Sequence, residues 1–116
     1  DAWRKDPAEA QATYGHISQW EVSTVTNMCS AFNGAESFNE DLSGWDVSHV
    51  ITMSCMFNRA SSFNQDLSNW NVSSVTDMHS MFYDASSFNQ DLSNWNVASV
   101  TSTSCFATNT VCKSET

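Results

Sequence analysis

The chain is short of positive charge: four lysines and arginines stand against thirteen aspartates and glutamates, a net charge of −9 over 116 residues. That balance argues against a nucleic-acid backbone or an anionic membrane surface as partner, since either would repel it. No run approaches the ~20 consecutive apolar residues of a membrane span, so nothing in the chain reads as membrane-inserted. No signal peptide is visible, and Asp1 reads as a mature or trimmed start rather than an initiator. Signatures of catalysis are missing as well. There is no phosphate loop, no C-x-x-C and no Ser-His-Asp set, so the chain reads as a non-enzyme with no cofactor. What remains is one domain's length with 41% apolar residues, enough for a modest core. Only 15% of residues are charged, and the surplus of Ser, Thr and Asn leans towards an extracellular or cell-surface setting.

The dominant feature is a period. Trp20, Trp45, Trp70 and Trp95 each follow the last by 25 residues. The columns around them hold one residue type: Leu42, Leu67 and Leu92; Val22, Val47, Val72 and Val97; Val25, Val50, Val75 and Val100; Phe32, Phe57 and Phe82; Phe38, Phe63 and Phe88. Within a unit, Trp45 and Val47 alternate as a short strand with one buried face requires. From Met53 the spacing changes to three and four through Met56, Phe57, Ala60 and Phe63, which predicts a helix of about three turns. Thr52, with Thr26 or Asn27 and Thr76 or Asp77 in the sister copies, stands where its N-cap belongs. Nine core positions per unit are expected: Leu42, Trp45, Val47, Val50, Met53, Met56, Phe57, Ala60 and Phe63. One unit cannot bury these alone, but stacked neighbours can.

The expected fold is therefore an α/β solenoid of about four 25-residue strand–helix rungs, starting near Ile17, Leu42, Leu67 and Leu92. Residues 1–16 read as an N-terminal cap, with a helix over 6–15 opened by Asp6 and Pro7 and closed by Gly15. Residues 17–106 are the repeats, and 107–116 an irregular tail or cap.

The unit W-D-V-S-x-V-x-x-M-x-x-M-F-x-x-A-x-x-F-N-Q-D-L-S resembles the BspA-like leucine-rich surface-protein repeat, over residues 17–106. The stretch A-W-R-K-D-P-A-E-A-Q-A-T-Y-G-H-I-S also looks like the cap that often precedes such arrays. The resemblance implies a leucine-rich-repeat-like right-handed coil, surface exposure, and a role in adhesion or recognition. It brings no catalytic residues.

Stacking turns every polar column into a displayed row. Beside the strand these rows hold Glu21, Asp46, Asn71 and Asn96; Ser23, Ser48 and Ser73; and Asn69 and Asn94. Such groups suit hydrogen bonding to a glycan or a polar protein surface, and equally suit a solvated face. Asp41, Asp66 and Asp91 form another row, flanked by Asn39, Asn64 and Asn89. Calcium bridging would satisfy stacked carboxylates, and so would backbone N–H groups within each carboxylate's own turn. The three histidines, His16, His49 and His79, occupy different columns and do not converge on a metal.

The helix wheel brings Cys29 towards Cys55 on adjacent rungs and leaves Cys105 to pair with Cys112; four free thiols in a reducing compartment are the alternative. Asn71 opens the one regular glycosylation sequon, N-V-S. The expected function is a non-catalytic extracellular or cell-surface module for protein or glycan recognition. The alternative is a structural subunit that assembles end to end, with further copies of itself as partners, into an extracellular fibre or coat.

Overall fold

The structure, a computed structural model, describes residues 15–106. Over these residues the 25-residue period becomes a stack of rungs joined by backbone hydrogen bonds in constant register. Met28, Ser30, Phe32 and Gly34 donate their N–H groups to the carbonyls of Thr52, Ser54, Met56 and Asn58, at 3.0, 2.9, 2.8 and 2.7 Å. One rung on, Met53, Cys55, Phe57 and Arg59 do the same to Asp77, His79, Met81 and Tyr83. A second row points back to the preceding rung, with Ile51 N–H on the Thr26 carbonyl, Thr76 on Ile51 and Thr101 on Thr76. Between the two rows lie parallel bridges from Asn27 to Thr52, Thr52 to Asp77, and Asp77 to Ser102.

The expected α/β solenoid of strands and helices is not what the chain forms. Among the described residues the single helical element is the three-residue 3-10 turn Ile17–Gln19, and strand pairing is reduced to isolated bridges. Each rung runs instead from turn to turn. The N–H of Trp45 closes on the Leu42 carbonyl at 3.0 Å, Val50 on Val47 at 3.0 Å, and Met56 on Met53 at 3.1 Å. Asn58 closes on Cys55, Ala60 on Phe57 and Phe63 on Ala60 in the same i to i+3 pattern. Apolar residues at both ends of consecutive turns lie three apart, which is also a helical spacing. That degeneracy is why Met53 to Phe63 reads as a helix in sequence and is a chain of turns in space.

Left-handed residues prevent the turns from fusing into a helix. Cys55 has φ 58° and Arg59 φ 61°; Ser30, Ser80 and Cys105 share the first column, Gly34 and Asp84 the second, all with positive φ. Such angles are uncommon for residues other than glycine. The first three rungs carry two of them each. Thr52, Asn27 and Asp77, expected as helix N-caps, are the bridge residues instead. The predicted helix over 6–15 and the tail over 107–116 fall outside the described residues.

The core columns are as expected: all nine positions from Leu42 to Phe63 are buried. Phe32, Phe57 and Phe82 stack with ring centroids 5.5 Å apart at each step, and Phe38, Phe63 and Phe88 at 5.8 and 5.9 Å. From the second rung on, each tryptophan ties its rung to the one before. Trp45 Nε1 donates to the Ile17 carbonyl at 2.8 Å, Trp70 to Leu42 at 2.9 Å and Trp95 to Leu67 at 2.9 Å. These carbonyls lie against the apolar interior, where an unmet acceptor is costly.

Two substitutions test this description by denaturant melting. Trp70→Phe removes the indole bond to the Leu42 carbonyl, which keeps the Trp45 N–H, and is expected to cost about 1 kcal/mol. Arg59→Gly keeps the backbone bond to Tyr83 and relieves a left-handed side chain, so stability is expected to rise by about 1 kcal/mol. A helix at this position would give the reverse sign for the glycine variant.

Candidate functional site

The polar columns are built by the turns. In each rung side chains cap turns by accepting the N–H of the residue two places on, as Asx turns do; besides the bridge column of Asn27, Thr52 and Asp77, two further columns do this. In one column Ser43 N–H donates to Asp41 Oδ1, Ser68 to Asp66 and Ser93 to Asp91, all at 2.9 Å. In the other, Ser23 N–H donates to Glu21 Oε1 at 2.7 Å, Ser48 to Asp46 at 3.0 Å, Ser73 to Asn71 at 3.1 Å and Ala98 to Asn96 at 3.1 Å. Asp46 also accepts the Ser48 hydroxyl at 2.6 Å.

These residues therefore lie on turns, not on a strand face. Glu21, Asp46, Asn69, Asn71, Asn94 and Asn96 are exposed, while Ser23, Ser48 and Ser73 are half-buried beneath them. Asn69 reaches across a rung to donate Nδ2 to the Ser43 carbonyl at 2.9 Å. One oxygen of each capping carboxylate is committed to its turn, and the other faces solvent. The columns present a row of exposed acceptors and amides at rung spacing, able to hydrogen-bond a polar ligand.

The turn bonds hold the carboxylates ionised. The Ser43 and Ser68 backbone N–H groups, followed by the same serines' hydroxyls, hold the pKa of Asp41 and Asp66 below the usual carboxylate range. For Glu21, Asp46 and Asp91 the serine hydroxyl contributes first and the backbone N–H second, again downward. The Asp41, Asp66 and Asp91 row is thus satisfied within its own turns. Among the described residues no group of three or more His, Cys, Asp or Glu side chains is arranged to hold a metal ion.

An amide ladder beside the aspartates escaped the sequence reading as an interaction. Asn39 Oδ1 accepts Asn64 N–H at 2.9 Å and Gln65 Nε2 at 3.0 Å. Asn64 repeats this for Asn89 and Gln90 at 2.9 Å each. The signal was Phe-Asn recurring with the period, followed by Glu40, Gln65 and Gln90, since a polar pair kept from copy to copy needs a partner in the next. The histidines stay apart: His49 Nδ1 lies 3.0 Å from the Ser23 carbonyl, and His79 Nδ1 lies 2.8 Å from Ser104 Oγ. His16 Nε2 lies 3.2 Å from Glu40 Oε1.

The Cys29–Cys55 disulfide is not formed; both thiols are free. Its derivation assumed a helix wheel, and with turns in place of the helix the register differs. Cys29 shares its column with Ser54, and its Sγ lies 3.2 Å from Ser54 Oγ. Cys55 is one residue further on, at a left-handed position. The Cys105–Cys112 pairing involves a residue outside those described. Among the described residues no helix is long and apolar enough to cross a membrane.

Two measurements follow. Carboxylates whose folded pKa is depressed contribute stability that is present above their unfolded pKa, near pH 4, and lost as pH falls through the folded pKa. The denaturation midpoint is expected to drop on acidification below about pH 4, and less steeply in Asp66→Asn, whose amide still caps the turn without titrating. Thiol labelling of the native protein without reductant is expected to modify Cys29 faster than Cys55, because Cys29 is exposed and burial raises the Cys55 thiol. A Cys29–Cys55 bond would leave both unlabelled.

Neither a curated protein nor a solved structure shows a match to the chain. Residues 6–115 match the family described as Mycoplasma protein of unknown function, DUF285, across all the described rungs. A match of that extent settles membership, and the chain belongs to the DUF285 family.

Proposed function

We propose that the chain is a non-catalytic repeat module, extracellular or at a cell surface, that recognises a glycan or protein through its exposed turn columns. The observation that carries this reading is the repetition of one capping geometry in every rung, which displays Asp46, Asn71 and Asn96 in a row with free hydrogen-bonding capacity. Asn69 and Asn94 stand beside them and are also exposed. A ligand with its own repeat, such as an oligosaccharide or an extended polar segment, meets equivalent groups at each step. The repeat's resemblance to BspA-like surface proteins points the same way. The net charge of −9 favours neutral or basic ligands over acidic ones. Asn71 sits within this face with Oδ1 engaged by Ser73, and a glycan there would crowd the row.

The test is binding of the protein to an array of neutral oligosaccharides, and of labelled protein to intact cells, against Asn69→Lys/Asn94→Lys. This variant leaves the capping residues Asp46, Asn71 and Asn96 in place and removes one inter-rung bond, Asn69 Nδ2 to the Ser43 carbonyl, so its stability is expected to fall by no more than about 1 kcal/mol. Binding should fall at least about tenfold, the loss of roughly one good hydrogen-bonding contact. No binding to either target, or binding indifferent to the two lysines, would remove the reading.

A further inference from the structure

We propose that Asn71 is the acceptor of an N-linked oligosaccharide, carried at the third rung of the turn column and standing out from its middle.

Asn71-Val72-Ser73 supplies the side-chain amide, a middle residue other than proline, and the hydroxyl two places on that asparagine glycosylation requires. The fold presents this sequence in a form that can carry a sugar. Asn71 is exposed and held through Oδ1, which accepts the Ser73 N–H at 3.1 Å. Its Nδ2, the atom that takes the sugar, bonds to no group among the described residues. By contrast, Asn69 commits Nδ2 to the Ser43 carbonyl, and Gln65 commits Nε2 to Asn39. On either side in the column stand Asp46 and Asn96, both exposed, so no bulky side chain flanks the amide. Linkage at Nδ2 leaves Oδ1 on the Ser73 N–H, and the modified rung keeps its cap.

The turn itself does not need the Ser73 hydroxyl. In the fourth rung Ala98 N–H closes the same turn on Asn96, also at 3.1 Å, with no hydroxyl at all. In the second rung the Ser48 hydroxyl does serve its turn, donating to Asp46 at 2.6 Å, and Ser73 Oγ makes no such bond. Asn27-Met28-Cys29 forms a like turn at 2.8 Å, but a thiol stands where the hydroxyl belongs, and Asn27 is tied into the bridge with Thr52.

Val72 is 1% exposed, so the sequence cannot be drawn into an enzyme without opening the rung, and transfer belongs to the chain before the rung closes. The bond from sugar C1 to the pyrophosphate oxygen of a lipid-linked oligosaccharide breaks and the C1–Nδ2 bond forms. Nδ2 gives up one proton to the transferase, and the lipid pyrophosphate leaves with the electron pair. The assignment rests on the extracellular part of the reading above, because this transfer accompanies export. It does not rest on recognition through the turn column.

The test is secretion of the full chain, behind an export leader, from a eukaryotic cell, so that export is supplied whatever the native location. Peptide mapping after peptide-N-glycosidase, which leaves aspartate where a glycan stood, should find aspartate at position 71 in most chains and asparagine still at 27. Ser73→Ala should lose the glycan and melt like the deglycosylated parent, since Ala98 shows that alanine closes this turn. Ala98→Ser should add a second glycan at Asn96, on the same turn one rung further on. A secreted, folded chain with no sugar at Asn71, beside a co-secreted reference glycoprotein that carries its own, would overturn the proposal. So would a glycan that persists in Ser73→Ala. Occupancy is read by mass alone, so a failure of ligand binding at the turn column leaves this result standing.

Discussion

Everything in this molecule depends on the constancy of the rung length. In one block of each rung, Met28 to Gly34, Met53 to Arg59 and Met78 to Phe82, the N–H of alternate residues i finds the carbonyl of i+24, and this works only because each turn-built rung consumes the same 25 residues. A single inserted residue would move a whole apolar set out of register with its neighbours, as slippage does in any paired backbone. The side chains reinforce the constraint. The indole of Trp70 reaches the Leu42 carbonyl and the amide of Gln65 reaches Asn39, so both the core and the rim measure the same interval.

The period and the core were legible because they depend only on which residue types recur. The local backbone was not. A residue at i+3 is a helical neighbour and is also the far end of a β-turn, so the row Met53, Met56, Phe57, Ala60, Phe63 fits either. The feature that decides is left-handed backbone at Cys55 and Arg59, and neither side chain announces it. Gly34, in the column of Arg59 and Asp84, was the one residue whose type hinted at it. With the helix gone, the geometry that had placed Cys29 opposite Cys55 went as well, which shows how a single mistaken element propagates to a specific bond.

The polar columns pose a different problem, because structure and recognition draw on the same atoms. Asp46 and Asn71 are needed at their positions to cap turns, and that need alone would fill the column with Asp, Asn or Glu. Their identity is therefore no sign of a ligand. Asn94 is more informative: it is exposed, and its column accommodates Gln19, Gly44 and Asn69 as well, so turn chemistry does not dictate it. If this face has a partner, such unconstrained positions are where specificity can reside without endangering the rung.

The ends follow from the same logic. A stack of identical rungs has no internal reason to stop, and termination demands residues that differ from the repeat. The fourth rung does differ, with Thr103 in place of methionine, yet its Leu92, Val97 and Val100 remain those of an interior rung. A rung meant to face water would replace such residues with polar ones, as edge strands in soluble sheets are blunted by charge. The exposed Val97 retains the side chain that Val47 and Val72 use to pack against a successor. Among the described residues the fourth rung therefore keeps the apolar columns of an interior rung while Val97 is left exposed, whereas Ile17 and Val22 in the first rung stay buried.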